Sequence, residues 1–481
     1  MTTPRSETAP ALTDPLELGS VTLANRLYRA PLLECAGNGP EAVDRLIADL
    51  EPAAAAGAGL VCQGATIVTA EGGCAAPGMT RVHDPEFVSE LERLTDAIHR
   101  HGGRIAIQLE HGGLRAMETW HHEYRREHPG LEQLAVSEPP WQLRALDRAG
   151  LLSYDARVLS TAEVYDLAAT FGRAAERAVA AGYDVIHLAG ANMGLLHQFC
   201  SPFYNRRDDE FGDHGRFFEV VLSEIRDRVG DVPVTTKVPA ETAAPPFVRR
   251  TRSATETVRL CQRLASAGYD GLVPVNGSVF WDMSIVRGEF PDAAWRDERH
   301  HEGYDRAFGS RARAVAVAVA NWIESVAYDF EPGWNAALCR RVRERVSVPV
   351  FCEGGIRDRP QIDRLLGDAC DAVGMGRPFY AEPRLPARLL GREAADAAVV
   401  CENCNNCAVP QVTGAPGVCR TPAVLERAGE LRRAGAYERP AAAGEGADDT
   451  TTAEGVGVED VATAEDVGVD DTTTAEEAGD D

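Results

Sequence analysis

VPVFCEGGI at 348–356 and DAVGMGRPFYAEP at 371–383 decide the fold. Each is a short, apolar, partly β-branched run that breaks into glycine: Gly354 and Gly355 after the first, Gly376 and then Arg377 after the second. Runs of this kind read as buried parallel strands. Glycines at their ends let backbone amides approach an anion, and Arg377 adds a charged fork. A phosphate site made by two consecutive strand ends late in a chain is what strands 7 and 8 of a (β/α)8 barrel provide.

Six further runs of the same kind precede them, at 27–33, 59–68, 104–109, 184–189, 232–238 and 270–275, with helical patterns between. Two of the helices start with capping-box pairs, Ser160 with Glu163 and Ser253 with Glu256. AGYD occurs at 181–184 and again at 267–270, where Gly182 and Gly268 suit a left-handed C-cap just before a strand. The expected fold class is therefore α/β, a (β/α)8 TIM barrel with enlarged loops. No GxGxxG follows a strand, so an open dinucleotide-binding sheet has no support.

With 481 residues, 44% hydrophobic and 26% charged, the chain can bury a large core, which excludes a disordered or fibrous protein. No apolar run reaches the roughly 18 residues of a membrane-spanning helix. The first residues, MTTPRSETAP, lack the basic and apolar stretches of a secretory signal, so a cytoplasmic location is expected. Net charge is −25, of which residues 1–440 carry −11. Such acidity argues against nucleic acid as a partner and suits a solvated, halophile-like surface. From 437 to 481 the sequence turns acidic and small, with DDTTTAE at 448–454 and again at 470–476, and is read as a disordered tail. Only one basic residue, Lys237, is lysine against 48 arginines, which singles it out as a retained ammonium.

Five strings carry a resemblance to a known family: DPLELGSVTLANRLYRAPL at 14–32, IQLEHGG at 107–113, LLHQFCSPFYNRRDDEFG at 195–212, and the two strand ends quoted first. Together they make residues 14–425 similar to the Old Yellow Enzyme, or NADH:flavin oxidoreductase, group of FMN-binding barrels. The resemblance implies that Ala30, Pro31 and Leu32 lie along the isoalloxazine, and that Ala65 and Gln108 meet its pyrimidine side. It also implies that Gly354, Gly355, Gly376 and Arg377 hold the phosphate, and that Lys237 stands where many members carry Arg beside flavin N1 and O2. A buried lysine paired with a barrel carboxylate is the other reading of Lys237.

After strand 4 the family usually has His, two residues, His or Asn, then Gly-Tyr. Here Asn192 matches the second anchor and could polarise a carbonyl. Ala189 replaces the first His and Gly194 the Tyr that usually donates a proton, so the proton donor is unassigned. His187 lies on the same side of the strand as Ala189 and is either its substitute or a buried structural histidine. Arg207 and Asp209 are expected to shape the strand 4 loop, and His111 to hold the strand 3 loop.

CENCNNC at 401–407 and Cys419 give C-x2-C-x2-C-x11-C. Thiolates so dense favour an iron-sulfur centre or zinc, with free thiols or a disulfide also open. The iron-sulfur branch of the same family, which includes 2,4-dienoyl-CoA reductase, has a similar cluster after the barrel with its third spacing usually one residue longer. The resemblance then implies [4Fe-4S] on Cys401, Cys404, Cys407 and Cys419.

The expected organisation is a barrel over 14–392, a Cys-rich extension over 393–436 and the tail. The expected function is transfer of hydride from NAD(P)H through FMN to an electron-poor alkene or similar acceptor, with a small-molecule substrate and homo-oligomers open. The alternatives are an amine or demethylating dehydrogenase passing electrons through the cluster to a partner protein, and a zinc-dependent, non-enzymatic interaction module.

Overall fold

The computed structural model describes residues 9–438 except 246, 281–284, 392–393 and 395–396; nearly all of the acidic segment read as a tail lies outside the described residues. Eight strands make one sheet: β1 (Leu27–Arg29), β2 (Leu60–Ile67), β3 (Arg104–Glu110), β4 (Val185–Leu188), β5 (Val234–Ala240), β6 (Gly271–Asn276), β7 (Phe351–Glu353) and β8 (Ala372–Met375). Their order is β6-β5-β4-β3-β2-β1-β8-β7, and every neighbouring pair is parallel. Val350, just before β7, bridges to Leu272 of β6, whose amide donates to the Pro349 carbonyl at 3.0 Å. That bridge closes the ring as a (β/α)8 barrel.

All eight strands fall on the runs read from sequence. β1 stops at Arg29, short of its run, where the chain leaves the ladder to form the mouth, whereas β3, β5 and β6 continue past theirs to Glu110, Ala240 and Asn276. Helices α1 (Ala42–Ala55), α2 (Pro85–His99), α3 (Thr161–Ala180), α4 (Arg216–Val229), α5 (Ala254–Ala267), α6 (Ala336–Arg343), α7 (Arg359–Asp368) and α8 (Leu385–Leu390) follow the strands in turn. Both capping boxes form, on α3 and α5. Gly182 and Gly268 take φ of 90° and 109°, so each can turn the chain straight into the next strand.

Alternation along the strands makes two cores. Ile105, Ile107, Ile186, Val234, Leu272 and Val373 pack outward under the helices. Tyr28, Leu60, Cys62, Ala106, Val185, Val273 and Phe351 fill the lumen. A hairpin, Leu16–Leu18 with Val21–Leu23, adds Leu16, Leu18 and Leu23 to the lumen and plugs its lower end.

The largest excursions leave the C-terminal ends of β3 (residues 111–160) and β6 (residues 277–335). Where the second returns, buried Asn335 accepts the Asn276 amide on Oδ1 at 2.7 Å and donates from Nδ2 to the Glu353 carbonyl at 3.0 Å. One side chain thus joins the ends of β6 and β7.

Candidate active site

Residues that alternate inward along a strand meet at its C-terminal end, so the mouth collects Tyr28, Gln108, Glu110, His187, Lys237 and Glu353 from five strands. Gln108 is buried and sits in register with Ala65 of β2. Lys237 is buried too, and its Nζ lies 2.7 Å from Glu353 Oε2. The other carboxylate oxygen accepts from the Tyr28 hydroxyl at 2.6 Å. The structure therefore places the lone lysine in an ion pair that the sequence reading offered as one of two possibilities; the partner, Glu353, was not singled out.

His187 Nδ1 is 2.8 Å from Thr235 Oγ1, while buried Nε2 has no partner and faces a small cavity lined by Tyr28, Pro31, Cys62 and Phe351. Burial, with Lys237 nearby, pushes its imidazole down to about 3, so it is neutral and carries no spare acidic proton. His111 is likewise pushed down to about 4 by burial, and its Nδ1 accepts the Gly113 amide at 3.1 Å, which is the loop-holding job expected of it.

The loop after β4 is fixed from three sides. Asn192 and Met193 take left-handed φ of 61° and 63°. Arg115 Nη1 donates to the Asn192 carbonyl at 2.6 Å. His197, buried at the start of the next helical turn, accepts the Met193 amide at 2.9 Å and sets its other nitrogen 3.0 Å from buried Glu241. Neither His197 nor Glu241 was apparent from sequence, because their pairing spans two loops. Ala189 is buried. Arg207 grips Asp209 at 2.8 and 2.5 Å, and this pairing holds the Asp209 carboxyl down at about 2.

The loop after β1 carries Ala30, Pro31 and Leu32 and is anchored beneath by Arg29, which pairs with Glu34 at 2.9 Å and Asp49 at 2.8 Å. Burial drives the Glu34 carboxyl up to about 7, against the opposing pull of Arg29.

At the ends of β7 and β8, Gly354 and Gly355 have φ of 96° and 68°. A Cβ on Gly354 would come within 2.6 Å of the Trp334 ring, so only glycine fits there, whereas one on Gly376 would meet the tip of Leu32 at 2.9 Å and push it aside. Three guanidinium groups, of Arg287, Arg357 and Arg377, gather here. Arg287 lies over Trp334 at 5.7 Å, Arg377 Nη2 donates to the Arg287 carbonyl at 2.9 Å, and Arg357 is held below its usual value by burial and by its neighbour Arg377. Buried Arg287 Nε has no partner. A glycine turn ringed by arginines, one of them with an orphan donor, fits a phosphate.

Arg377 also donates to Asn405 of the cysteine segment. That segment docks on the barrel beside β1 and β8: Gln411 Nε2 donates to the Leu33 carbonyl at 2.6 Å, and the Glu289 amide to the Asn403 carbonyl at 3.0 Å. Cys401, Cys404, Cys407 and Cys419 line a single small cavity with Arg377 and Tyr380. Burial pushes the Cys407 thiol up to about 12. Among the described residues no three His, Cys, Asp or Glu side chains are grouped closely enough to hold one metal ion.

Comparison with known proteins agrees with this architecture. The chain is 27% identical over 424 residues to N,N-dimethylglycine/sarcosine dehydrogenase of Chromohalobacter salexigens, covering 87% of the chain but only 53% of that relative, so it spans about half the relative's length. It is 26% identical over 435 residues to the 4,4'-dithiodibutanoate disulfide reductase of Rhodococcus erythropolis, covering 87% of the chain and 97% of the relative. Histamine dehydrogenase from Rhizobium sp. 4-9 shares the fold with a TM-score of 0.64 at 22% identity, over 86% of the chain and 53% of that structure. The sequence profile of the NADH:flavin oxidoreductase / NADH oxidase family matches residues 11–266, more than half of the protein, and the chain belongs to that family.

Proposed function

We propose that the protein is an FMN-dependent oxidoreductase that takes hydride from NAD(P)H and reduces an electron-poor alkene. The observation that carries this reading is the mouth itself, where an arginine-ringed glycine turn suited to a phosphate adjoins a floor of Ala30, Pro31, Leu32, Ala65 and Gln108 suited to a flat ring. Gly354, Gly355, Gly376, Arg287 and Arg377 would hold the phosphate, and Gln108 and Lys237 the polar edge of the ring. When bound, FMN supplies hydride storage between donor and acceptor. Asn192 is the residue to polarise the acceptor's carbonyl, and the clamp from Arg115 and His197 fixes its loop before substrate arrives. The relatives, as members of an enzyme family, leave the non-enzymatic zinc module without support.

The names of the dimethylglycine and histamine dehydrogenases favour a second reading, amine oxidation with electrons leaving through the cysteines. The close C-x2-C-x2-C spacing, with Cys419 lining the same cavity, supports a [4Fe-4S] centre over zinc. Anaerobically purified protein should be yellow, be bleached by NADH or NADPH, and recover colour with an activated enone. Bleaching by a secondary or tertiary amine, without NAD(P)H, selects the second reading.

A further inference from the structure

Delivering hydride to one alkene carbon leaves an electron pair on its neighbour, and something must protonate that carbon. The family's usual tyrosine is absent, since Gly194 stands in its place. Of the other titratable groups at the mouth, His111 and His187 are neutral, and Tyr28 gives its hydroxyl proton to a bond with Glu353, itself paired with Lys237.

We propose that Glu110 is the proton donor for the alkene half-reaction, a role that rests on the functional reading above. Glu110 is the last residue of β3, two beyond Gln108 and on the same face. It is 95% buried, and its Oε1 has no hydrogen-bond partner. Arg115, the clamp on Asn192, stands 3.6 Å from that oxygen, so the carboxyl belongs to the same cluster as the residue assigned to the acceptor's carbonyl.

Gly194 supplies the second observation. Its backbone, at φ −61° and ψ 173°, is one any residue adopts. A Cβ there would lie 3.0 Å from Glu110 Oε1 and 3.5 Å from its Cγ. The space into which a side chain at 194 would grow is therefore filled by the Glu110 carboxyl: one acidic group stands where another has gone. Burial also holds this carboxyl above its ordinary range, with Arg115 and Lys237 opposing; the Cys74 thiol is a further titratable neighbour.

In the step, the Glu110 O–H bond breaks and its proton forms a C–H bond with the carbon that carries the electron pair. Water returns a proton to the carboxylate. NAD(P)H provides the electrons, so alkene plus hydride plus proton gives alkane.

The test uses the FMN-loaded protein with 2-cyclohexenone as acceptor. Glu110→Gln should slow enone reduction at least about 100-fold relative to ferricyanide reduction, which needs no carbon protonation. Glu110→Asp should recover part of the loss. Glu110→Ala should be similarly slow, and Glu110→Ala with Gly194→Tyr, which puts a phenol into the vacated space, should recover at least tenfold. Infrared spectroscopy of the resting protein near pH 7 gives a readout without turnover: wild type shows a protonated carboxyl band that Glu110→Gln lacks. An enone-to-ferricyanide ratio within threefold of wild type, or an unchanged carboxyl band, would overturn the assignment. If wild-type protein oxidises NADH yet no activated alkene accepts from it, the functional reading fails instead, while the infrared band still decides whether Glu110 holds a proton to give.

Discussion

Lys237→Met removes one member of a buried pair and leaves Glu353 held only by Tyr28. At the observed 2.7 Å, the attraction between the two charges is about 6 kcal/mol at an effective dielectric near 20, before desolvation is subtracted. Breaking such a pair from one side typically costs about 3–5 kcal/mol, because the remaining charge stays buried. The retained Tyr28 bond places the expectation at the lower end, about 3 kcal/mol in urea unfolding of the flavin-free protein. Lys237→Met/Glu353→Gln removes both charges and should return to within about 1 kcal/mol of wild type. The same cycle has an electrochemical side. With FMN bound, Lys237→Met leaves a net negative charge near the ring, and a change of about 1–2 kcal/mol corresponds to lowering the two-electron midpoint potential by about 20–40 mV. The double variant should sit close to wild type again. A coupling energy below about 0.5 kcal/mol would refute the ion pair, and an unshifted potential in folded, FMN-loaded Lys237→Met would refute the lysine's position at the flavin.

Arg377→Ala should weaken FMN binding by about 1.5–3 kcal/mol, read by quenching of flavin fluorescence, and unchanged retention would remove the phosphate from β8. Cys404→Ser should release iron from anaerobically prepared protein and raise proteolytic sensitivity over 401–419; native protein with neither iron nor zinc would end the cluster assignment. The Glu34 carboxyl, raised to about 7 in the folded state, binds its proton more tightly there than when unfolded, so its contribution to stability is present below about pH 4.5 and is lost as pH rises toward 7. Glu34→Gln should flatten that part of the stability profile, and an unaltered slope counts against the buried carboxyl.

The barrel was legible because its signals are local. Alternating apolar residues, Ser160 and Ser253 with their glutamates, and glycines at 182 and 268 each act within a few residues, and all eight strands emerged from them. The fate of Lys237 was not legible in the same way, since Glu353 is 116 residues distant in sequence and only closure of the ring brings them together. Arg287 gave no signal for the same reason: it lies in the excursion after β6, whose return path no periodicity encodes. Glu110 was hidden differently. It sat inside a quoted motif, QLEHGG, but its significance depends on a missing side chain at 194, and an absence becomes visible only when the two loops are seen in contact.

The ring has a seam. Neighbouring strands elsewhere share between two and seven paired residues, whereas β6 and β7 meet through one bridge. Local opening starts where the fewest backbone bonds must break, so amide exchange with solvent should be fastest for the ring at Leu272 and its flanks. Asn335 and the tie from Glu353 to Lys237 are the side-chain stitches across that gap. Residues at the mouth therefore also set how often the barrel breathes, and Asn335→Ala should speed exchange in β6 while leaving β2 and β3, joined by seven pairs, as protected as before.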